Sequence, residues 1–320
     1  MFSTRSDVMG VFFFSFANAK RDLSNEASPG YRLDAIKEKL SNLPCNTVFI
    51  CASEYNRELG DFSWKIFNDW MKMTLNFVPI QVSLQGTKEH ISFGNIIYVR
   101  QDKLDSITNY GEVDLVPSVQ DPSSFDNNKA AFVTIGDKTL MCCHLTLSFD
   151  EESHKTKLLV EELTVLGKLI ADDHTIVVGD FNLVPEMRAY LRREHPSLLT
   201  SLHASFGGKD DDISFLCMPH DHVPVKCVKE ENIVLRFEDA TACVVSALDV
   251  VCGKPVVCNV TRFLPYGHHV VIPLRYGTEE VVGLIKKIKT PPCGDWVSDH
   301  FPLFFEFGVR FPPFFEFWDT

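Results

Sequence analysis

The chain has 320 residues, 45% of them hydrophobic, and a formal net charge of −12 at pH 7. This length and apolar fraction are enough for one large α/β domain with a complete core. The acidic balance argues against nucleic-acid binding through a broad basic face. It does not exclude a nuclease, because a bound metal ion supplies positive charge locally.

The ten cysteines do not resemble the disulfide framework of a small secreted domain. Several lie in apolar runs, and the adjacent Cys142 and Cys143 would point to opposite faces of a strand. We therefore expect reduced thiols in a cytoplasmic or nuclear protein. The alternative is secretion, because the Phe-rich start of the chain ends in "ANAK", which is typical of a signal peptide with its cleavage site. No other stretch has the length and apolar character of a transmembrane segment.

Strand and helix patterns alternate along the first half of the chain. The Phe-rich opening at 8–20 predicts either a buried first strand or that signal peptide, and "GYRLDAIKEKLSNLP" predicts a helix that ends before Pro44. "NTVFICASE" predicts a buried strand that ends at Glu54, and a helix over 61–73 follows it. A further strand is predicted at "HISFGNIIYVR", residues 90–100.

The middle of the chain predicts two hairpins. The first covers 130–148 and turns at Gly136 to Lys138, and the second covers 241–263 and turns at Gly253 and Lys254. Between them, an amphipathic helix leads into the buried strand "HTIVVGDFN", and a short helix and an irregular insertion at about 205–235 follow. Because hairpins require antiparallel neighbours, we predict two packed sheets with helices outside, and not a doubly wound parallel sheet.

The end of the chain carries a near-duplicate. "FPLFFEF" at 301–307 recurs as "FPPFFEF" at 311–317. The first copy predicts a last core strand, whereas two prolines keep the second copy out of a central strand. We therefore place one domain at 1–308, with the insertion at about 205–235, and a Phe-rich C-terminal appendage at 309–320.

Functional groups recur where the apolar runs end. An isolated polar residue in such a place is most often a turn or cap residue, but here the arrangement repeats along the chain. The residues that share it are Asn18, Glu54, Asn95, His144, Asp180, Asn182, Asp249, Asp299 and His300.

Asp180 and Asn182 follow a buried strand two residues apart. Alternate residues of a strand face the same side, so the pair offers a carboxylate beside a neutral amide. The carboxylate could accept a proton from an attacking water while the amide donates to a phosphate oxygen, whereas a second carboxylate would repel the phosphate. This pairing suits the hydrolysis of a phosphodiester.

Two motifs, "VVGDFN" at 177–182 and "WVSDHFPL" at 296–303, resemble the signatures of the endonuclease/exonuclease/phosphatase (deoxyribonuclease-I-like) superfamily. The order of the other motifs agrees, because "FANAK", "CASE", "GNIIYVR", His144-Leu145 and "ALDVV" occupy the expected places. The resemblance covers about residues 10 to 308. It implies a four-layer α/β/β/α sandwich of two mixed β-sheets with outer helices, and it favours the first strand over the signal peptide.

The resemblance also implies a metal site at one edge of the sandwich. Glu54 is similar to the main metal ligand of the superfamily, and Asn18 and Asp299 are similar to residues beside it. Carboxylate and amide oxygens suit Mg²⁺, or Mn²⁺, better than Zn²⁺. The chain is therefore expected to be a metal-dependent hydrolase.

The remaining site residues resemble the catalytic set. Asp180 corresponds to the residue that orients or deprotonates the attacking water, and Asn182 to the one that holds a phosphate oxygen or that water. Asp249 resembles the partner that orients His300, which would contact the scissile phosphate. His144 would stabilise charge in the transition state, and Asn95 would add a substrate contact.

Substrate and activity leave alternatives open. A nuclease acting on DNA or RNA is the leading hypothesis, and a phospholipid, sphingomyelin or other phosphoester substrate is the alternative. A second alternative is a binding module without catalytic activity, since Ser53 stands where this superfamily often has Gln before the metal-ligand Glu. The retained acids and histidines favour an enzyme. The sequence does not fix the oligomeric state, and we expect a monomer.

A second cluster of possible metal ligands lies in "CMPHDHVPVKC". Cys217, His220, His222 and Cys227 are residue types that bind Zn²⁺, but their spacing is not that of a standard zinc finger. We favour a solvated loop over a zinc site there.

Overall fold

The structure is a computed structural model. It describes residues 6–16, 36–38, 40–56, 61–84, 93–121, 124, 126–183, 185–198, 215–217, 233–236, 242–246, 249–252, 258–262 and 302–311. For 215–250 and 258–262 the description is of the backbone alone.

Three α-helices, one turn of π-helix (Met71–Leu75), one 3-10 helix (Gln101–Ser106) and fourteen strands are assigned among the described residues. The α-helices are α1 (Asp61–Trp70), α2 (His154–Leu169) and α3 (Pro185–Glu194). The strands are β1 (Ser6–Ser15), β2 (Thr47–Asn56), β3 (Phe77–Leu84), β4 (Phe93–Arg100), β5 (Ile107–Asp114), β6 (Lys129–Ile135), β7 (Lys138–His144), β8 (Thr175–Asp180), β9 (Phe215–Cys217), β10 (Ile233–Arg236), β11 (Ala242–Ser246), β12 (Asp249–Cys252), β13 (Cys258–Arg262) and β14 (Leu303–Arg310).

The strands form two large mixed sheets and one small sheet. The six-stranded sheet has the order β13-β14-β1-β2-β4-β3, and the five-stranded sheet has the order β12-β8-β7-β6-β5. Each large sheet contains one parallel pair, β1 with β2 and β7 with β8, and its other pairs are antiparallel. The small sheet joins β10, β11 and β9.

The two large sheets pack face to face and carry helices on their outer faces. Buried side chains from both sheets, such as Phe13, Cys51, Cys142 and Val178, form one core between them. A second core lies between the six-stranded sheet and α1, and a third between the five-stranded sheet and helices α2 and α3. The predicted four-layer α/β/β/α sandwich is therefore confirmed.

The Phe-rich opening segment forms β1, which lies between β14 and β2 inside the six-stranded sheet. From Met9 onward, both of its faces are buried. Phe13 points into the core between the sheets, while Phe12, Phe14 and Phe16 pack on the side of α1. A strand covered on both faces needs a continuous apolar run, and this explains the run of phenylalanines.

Of the two predicted hairpins, the first is confirmed and the second is wrong. β6 and β7 pair antiparallel around Gly136, which has a φ of 54°. In the second segment, β12 pairs with β8 in the five-stranded sheet, whereas β13 pairs with β14 in the six-stranded sheet. Each strand joins the end of a different large sheet, so β12 and β13 do not pair with each other.

Several strands lack a counterpart in the sequence interpretation. β3 and β5 are edge strands, one in each large sheet; β5 exposes mainly polar side chains to solvent, and the apolar pattern of β3 is interrupted by Pro79. β9 and β10 lie in the segment predicted as an irregular insertion, where the described residues form strands. β14 continues to Arg310, two residues beyond the predicted end of the domain.

The described helices are short or amphipathic and pack against the sheets. Leu159, Leu163, Leu166 and Ile170, which predicted α2, are all buried. None of these helices combines the length and the apolar character that crossing a membrane requires.

Gly179 precedes Asp180 in β8 and lies where β8 approaches β7 closely. A Cβ added at Gly179 would lie 2.0 Å from the carbonyl oxygen of Cys143, which is backbone and cannot move aside alone. We expect Gly179→Ala to lower the free energy of unfolding by about 3 kcal/mol or more, measured by urea denaturation. Gly308→Ala is the matched control, because a Cβ at that exposed strand position meets nothing within 4 Å. Equal stability losses for the two variants would contradict this explanation.

Candidate active site

Two of the candidate residues lie side by side at the ends of parallel strands. β7 ends at His144 and β8 ends at Asp180, and these two residues are register partners. On the other side of β8, the backbone of Asp249 is the register partner of Asp180. The carboxyl ends of parallel strands meet at one sheet edge, and so this edge gathers three of the predicted site residues.

Glu54 reaches the same place from the other sheet. The register of β2 with β4 shifts between Ala52 and Tyr55, which is a β-bulge, and Glu54 has a φ of 56° within it. A left-handed backbone is uncommon for a residue other than Gly or Asn. Bulges bend a strand and redirect its side chains. We conclude that this bulge directs Glu54 towards the five-stranded sheet.

Glu54, His144 and Asp180 form a compact group. Ligand atoms of the three side chains all lie within 4.8 Å of one another. The Nε2 atom of His144 is 3.9 Å from Oε1 of Glu54 and 3.4 Å from Oδ2 of Asp180. The side chain of Asp180 is only 2% exposed, whereas those of His144 and Glu54 are 21% and 18% exposed. The group is thus reachable from solvent on one side and held by protein on the other.

Asn182 adopts a conformation that differs from the predicted one. β8 ends at Asp180, and Asn182 has a φ of 49°, so the two residues are not alternate members of one strand. The backbone N–H of Asn182 donates to Oδ1 of Asp180 at 2.9 Å, and its Nδ2 donates to the carbonyl oxygen of Leu145 at 2.7 Å. Asn182 therefore fixes the Asp180 carboxylate and joins the ends of β7 and β8.

Asn95 lies in the core, between the sheets. It is fully buried, and its Nδ2 donates to the carbonyl oxygen of Lys129 at 3.1 Å and to Oγ of Ser83 at 3.3 Å. Because Lys129 belongs to β6, these bonds join the two sheets. Among the described buried atoms, Oδ1 of Asn95 and Oγ of Ser53 have no hydrogen-bond partner. Substrate contact by Asn95 stays a prediction, and the contacts observed are structural.

No protein-family model matches the sequence, and no curated protein has detectable sequence similarity to it. Solved structures do match, along nearly the whole chain. An endonuclease/exonuclease/phosphatase from Bacteroides vulgatus is 12% identical with a TM-score of 0.53, and the alignment covers 94% of this chain and 98% of that one. D. rerio TDP2, solved with a single-strand DNA product, is 13% identical with a TM-score of 0.52 and coverages of 94% and 98%.

TDP2 from Caenorhabditis elegans is 11% identical with a TM-score of 0.51, and the alignment covers 94% of this chain and 74% of that one. The chain has the endonuclease/exonuclease/phosphatase fold. The predicted resemblance to this superfamily is thereby confirmed at the level of the fold. The superfamily fold supplies the two sheets whose edges bring Glu54, His144 and Asp180 together.

Several predicted residues of the superfamily site lie outside the described residues. These are Asn18, Asp299 and His300, as well as His220, His222 and Cys227 of the alternative zinc cluster. Only the backbone is described for Asp249 and for Cys217. The roles assigned to these residues stay predictions.

Glu162 was not among the predicted site residues. It lies on α2, is fully buried, and accepts hydrogen bonds from Thr146 and Asn128 beside the His144 strand end. A signal for it exists in the sequence, because Glu162 falls within the stripe formed by Leu159, Leu163 and Leu166, where an apolar residue is expected. A charged residue on the buried face of a helix indicates a specific polar partner.

Burial raises the pKa of the Glu162 carboxyl from 4.5 to about 7, although hydrogen bonds from Thr146 and Asn128 act in the opposite direction. In the unfolded chain the carboxyl would ionise near its ordinary pKa of 4.5. Between pH 4.5 and about pH 7 the folded protein therefore binds more protons than the unfolded chain does. This difference lowers the stability of the folded protein as the pH rises through that window.

We expect the stability of the wild type, relative to Glu162→Gln, to fall by roughly 3 kcal/mol between pH 4.5 and pH 8. Urea denaturation of both proteins at several pH values measures this difference. Glu161→Gln serves as control, because that neighbouring side chain lies on the same helix and is only partly buried. A difference between wild type and Glu162→Gln that does not vary with pH would contradict the raised pKa.

Proposed function

We propose that the chain is a Mg²⁺-dependent phosphodiester hydrolase that acts on nucleic acid through in-line attack of an activated water. The observation that carries the proposal is the meeting of two carboxylates and an imidazole, from opposite sheets, within 4.8 Å. Acids placed beside an imidazole at the edge of a buried core are costly unless they serve a purpose. The fold is one that hydrolytic enzymes use, which adds support by analogy.

The donor set fits a hard divalent cation. Glu54 and Asp180 present carboxylate oxygens, which Mg²⁺ and Mn²⁺ prefer over nitrogen and sulfur. Glu54 would hold the ion, with Asn18 and Asp299 as further oxygen ligands. When bound, such an ion neutralises charge on a phosphate oxygen and lowers the pKa of a bound water.

Asp180 is placed to orient the attacking water and accept its proton. The Asn182 N–H binds Oδ1, and Oδ2 faces Nε2 of His144. A fixed carboxylate needs no reorganisation during the reaction, and this is the advantage of a preorganised site. As the water oxygen attacks phosphorus, the proton passes to Asp180 and the P–O bond to the leaving oxygen breaks.

His144 is placed to stabilise negative charge. Its Nε2 faces both carboxylates, at 3.9 Å from Oε1 of Glu54 and 3.4 Å from Oδ2 of Asp180. From there, an N–H could donate to a phosphate oxygen as charge develops in the transition state. We assign contact with the scissile phosphate to His300, with Asp249 as its orienting partner.

Nucleic acid is the proposed substrate class. The structure of D. rerio TDP2 was solved with a single-strand DNA product, and its alignment covers 94% of this chain. The net charge of −12 favours a substrate held at a metal site over one held along a basic track. Phospholipids and other phosphoesters are the alternative substrates, and a substrate panel distinguishes them from nucleic acid.

The described cysteines support a reducing compartment. Cys51, Cys142, Cys143 and Cys252 are free thiols and fully buried, and burial raises the pKa of the last three. Buried thiols with raised pKa values react slowly. We therefore propose a cytoplasmic or nuclear location.

Asp180→Asn tests the chemistry with the smallest change of shape. We expect the wild type to hydrolyse bis(p-nitrophenyl) phosphate with Mg²⁺ and the variant to lose about 10²- to 10⁴-fold in kcat, because a general base is removed. Asp105→Asn, which removes the same charge from an exposed position, should keep wild-type activity. Equal rates for the wild type and Asp180→Asn would refute the role of Asp180. A wild type without turnover in Mg²⁺ or Mn²⁺ would support the binding module instead.

A substrate panel tests the nucleic-acid proposal. Single-stranded DNA, RNA, an abasic-site duplex and sphingomyelin vesicles are each incubated with the wild type and with Asp180→Asn. We expect cleavage of at least one nucleic acid by the wild type alone. Cleavage of sphingomyelin without cleavage of any nucleic acid would replace the proposed substrate class by a phospholipid.

A further inference from the structure

Glu162 is a buried carboxylate that the proposed reaction does not use. It lies on α2 among apolar residues such as Leu159 and Leu163 and is fully buried. A buried carboxylate without hydrogen-bond partners strongly destabilises a folded protein. A well-packed apolar side chain in the same place usually gives a protein that is at least as stable. The presence of an acid here therefore requires a specific partner.

All three hydrogen bonds that Glu162 accepts come from residues next to His144 in the structure. The N–H of Thr146 donates to Oε2 at 2.8 Å, and the Thr146 hydroxyl donates to Oε1 at 2.7 Å. Nδ2 of Asn128 donates to Oε1 at 2.7 Å, and the same nitrogen donates to the carbonyl oxygen of His144 at 2.7 Å. Glu162 thus binds Thr146 directly and is linked to the carbonyl of His144 through Asn128.

These bonds complete the hydrogen bonding of the backbone that follows β7. The N–H of Leu145 donates to the carbonyl oxygen of Asp180 at 2.8 Å, and its carbonyl oxygen accepts from Asn182 at 2.7 Å. The carbonyl of His144 and the N–H of Thr146 are the flanking groups, and they are bound by Asn128 and Glu162. Four successive backbone groups are therefore fixed at the point where His144 leaves the sheet.

We propose that Glu162 is a positioning residue, which locks residues 144–146 so that the His144 imidazole faces Asp180 and Glu54. The inference rests on the proposed function, since it assigns Glu162 a part in the reaction through His144. Side chains that hold a catalytic group in place commonly change activity by 10- to 100-fold when they are altered.

A carboxylate suits this role better than an amide. Three donors converge on Glu162, and an ionised carboxylate accepts at every position. A glutamine would turn its NH₂ group towards either the Thr146 N–H or the Asn128 amide, and two donors would then face each other. Because a hydroxyl can reverse its role and a backbone N–H cannot, the substitution should disturb the position of Thr146.

Glu161 provides a matched control on the same helix. Its carboxylate accepts from the backbone N–H of Ser118 at 2.8 Å and from the Ser118 hydroxyl at 2.5 Å. This is the same pairing of a Glu with a hydroxyl residue, but it holds a surface turn and not the segment of His144. A purely structural role for Glu162 predicts similar kinetic behaviour for both Gln variants.

The experiment compares Glu162→Gln with Glu161→Gln in kinetics and in amide hydrogen exchange. Rates with bis(p-nitrophenyl) phosphate and Mg²⁺ are normalised to the folded fraction at pH 8. We expect Glu162→Gln to lower kcat about tenfold or more with KM changed less than about twofold, and Glu161→Gln to change neither. In the metal-free protein, the Thr146 amide should exchange at least about tenfold faster in Glu162→Gln alone, because its acceptor is lost.

Each outcome decides the proposal. A wild-type kcat in a folded Glu162→Gln would overturn it, as would an equal loss in Glu161→Gln. Should the wild type hydrolyse nothing, the proposed function fails and exchange alone decides, since unchanged protection of the Thr146 amide would overturn the positioning role. If Glu162→Gln does not fold, Thr146→Val replaces it, and an unaltered kcat in that variant would also overturn the proposal.

Discussion

The candidate site exists because two sheets pack face to face at a fixed separation. His144 and Asp180 are neighbours through the register of β7 and β8, but Glu54 belongs to the other sheet, and its distance to them depends on the core. A contact just behind the site shows how close this packing is, because the Cys142 thiol lies 3.7 Å from the carbonyl oxygen of Ala52. Protein interiors are packed as densely as organic crystals, so a change in this layer would move Glu54 relative to its partners.

Uncommon backbone geometry is concentrated at the same edge. Of the three described residues other than Gly with positive φ, Glu54 and Asn182 lie at the site. The third, Asn76, ends the helical turn that follows α1, where a left-handed Asn is ordinary. A Glu in this conformation costs free energy that the surrounding structure must offset. Both residues use the conformation to direct a functional group: Glu54 turns its carboxylate across the gap between the sheets, and Asn182 brings its N–H to the Asp180 carboxylate.

Much of this arrangement can be predicted from the sequence. The buried strands β2, β7 and β8 are apolar runs, and the residues at their ends, Glu54, His144 and Asp180, meet in space. The pairing of β12 and β13 with different sheets cannot be predicted from the local sequence. Their partners, β8 and β14, lie far away in the chain, and the residues between β12 and β13 do not determine them. The edge strand β5 is not apparent because most of its exposed residues are polar, and β3 is not apparent because it contains a proline, which argues against a strand. The amphipathic pattern of α2 does not by itself single out Glu162, although its place in the apolar stripe distinguishes it.

The proposed site requires that side chains from both sheets converge on a single divalent cation. Anomalous X-ray diffraction from crystals of the wild type soaked in Mn²⁺ tests it most directly, with Glu54→Gln as the comparison. We expect one strong anomalous peak in direct contact with the Glu54 carboxylate and close to Asp180 and His144, and we expect this peak to weaken in the variant. A bound Mn²⁺ elsewhere on the molecule, or a structure in which Glu54 lies apart from Asp180, would contradict it.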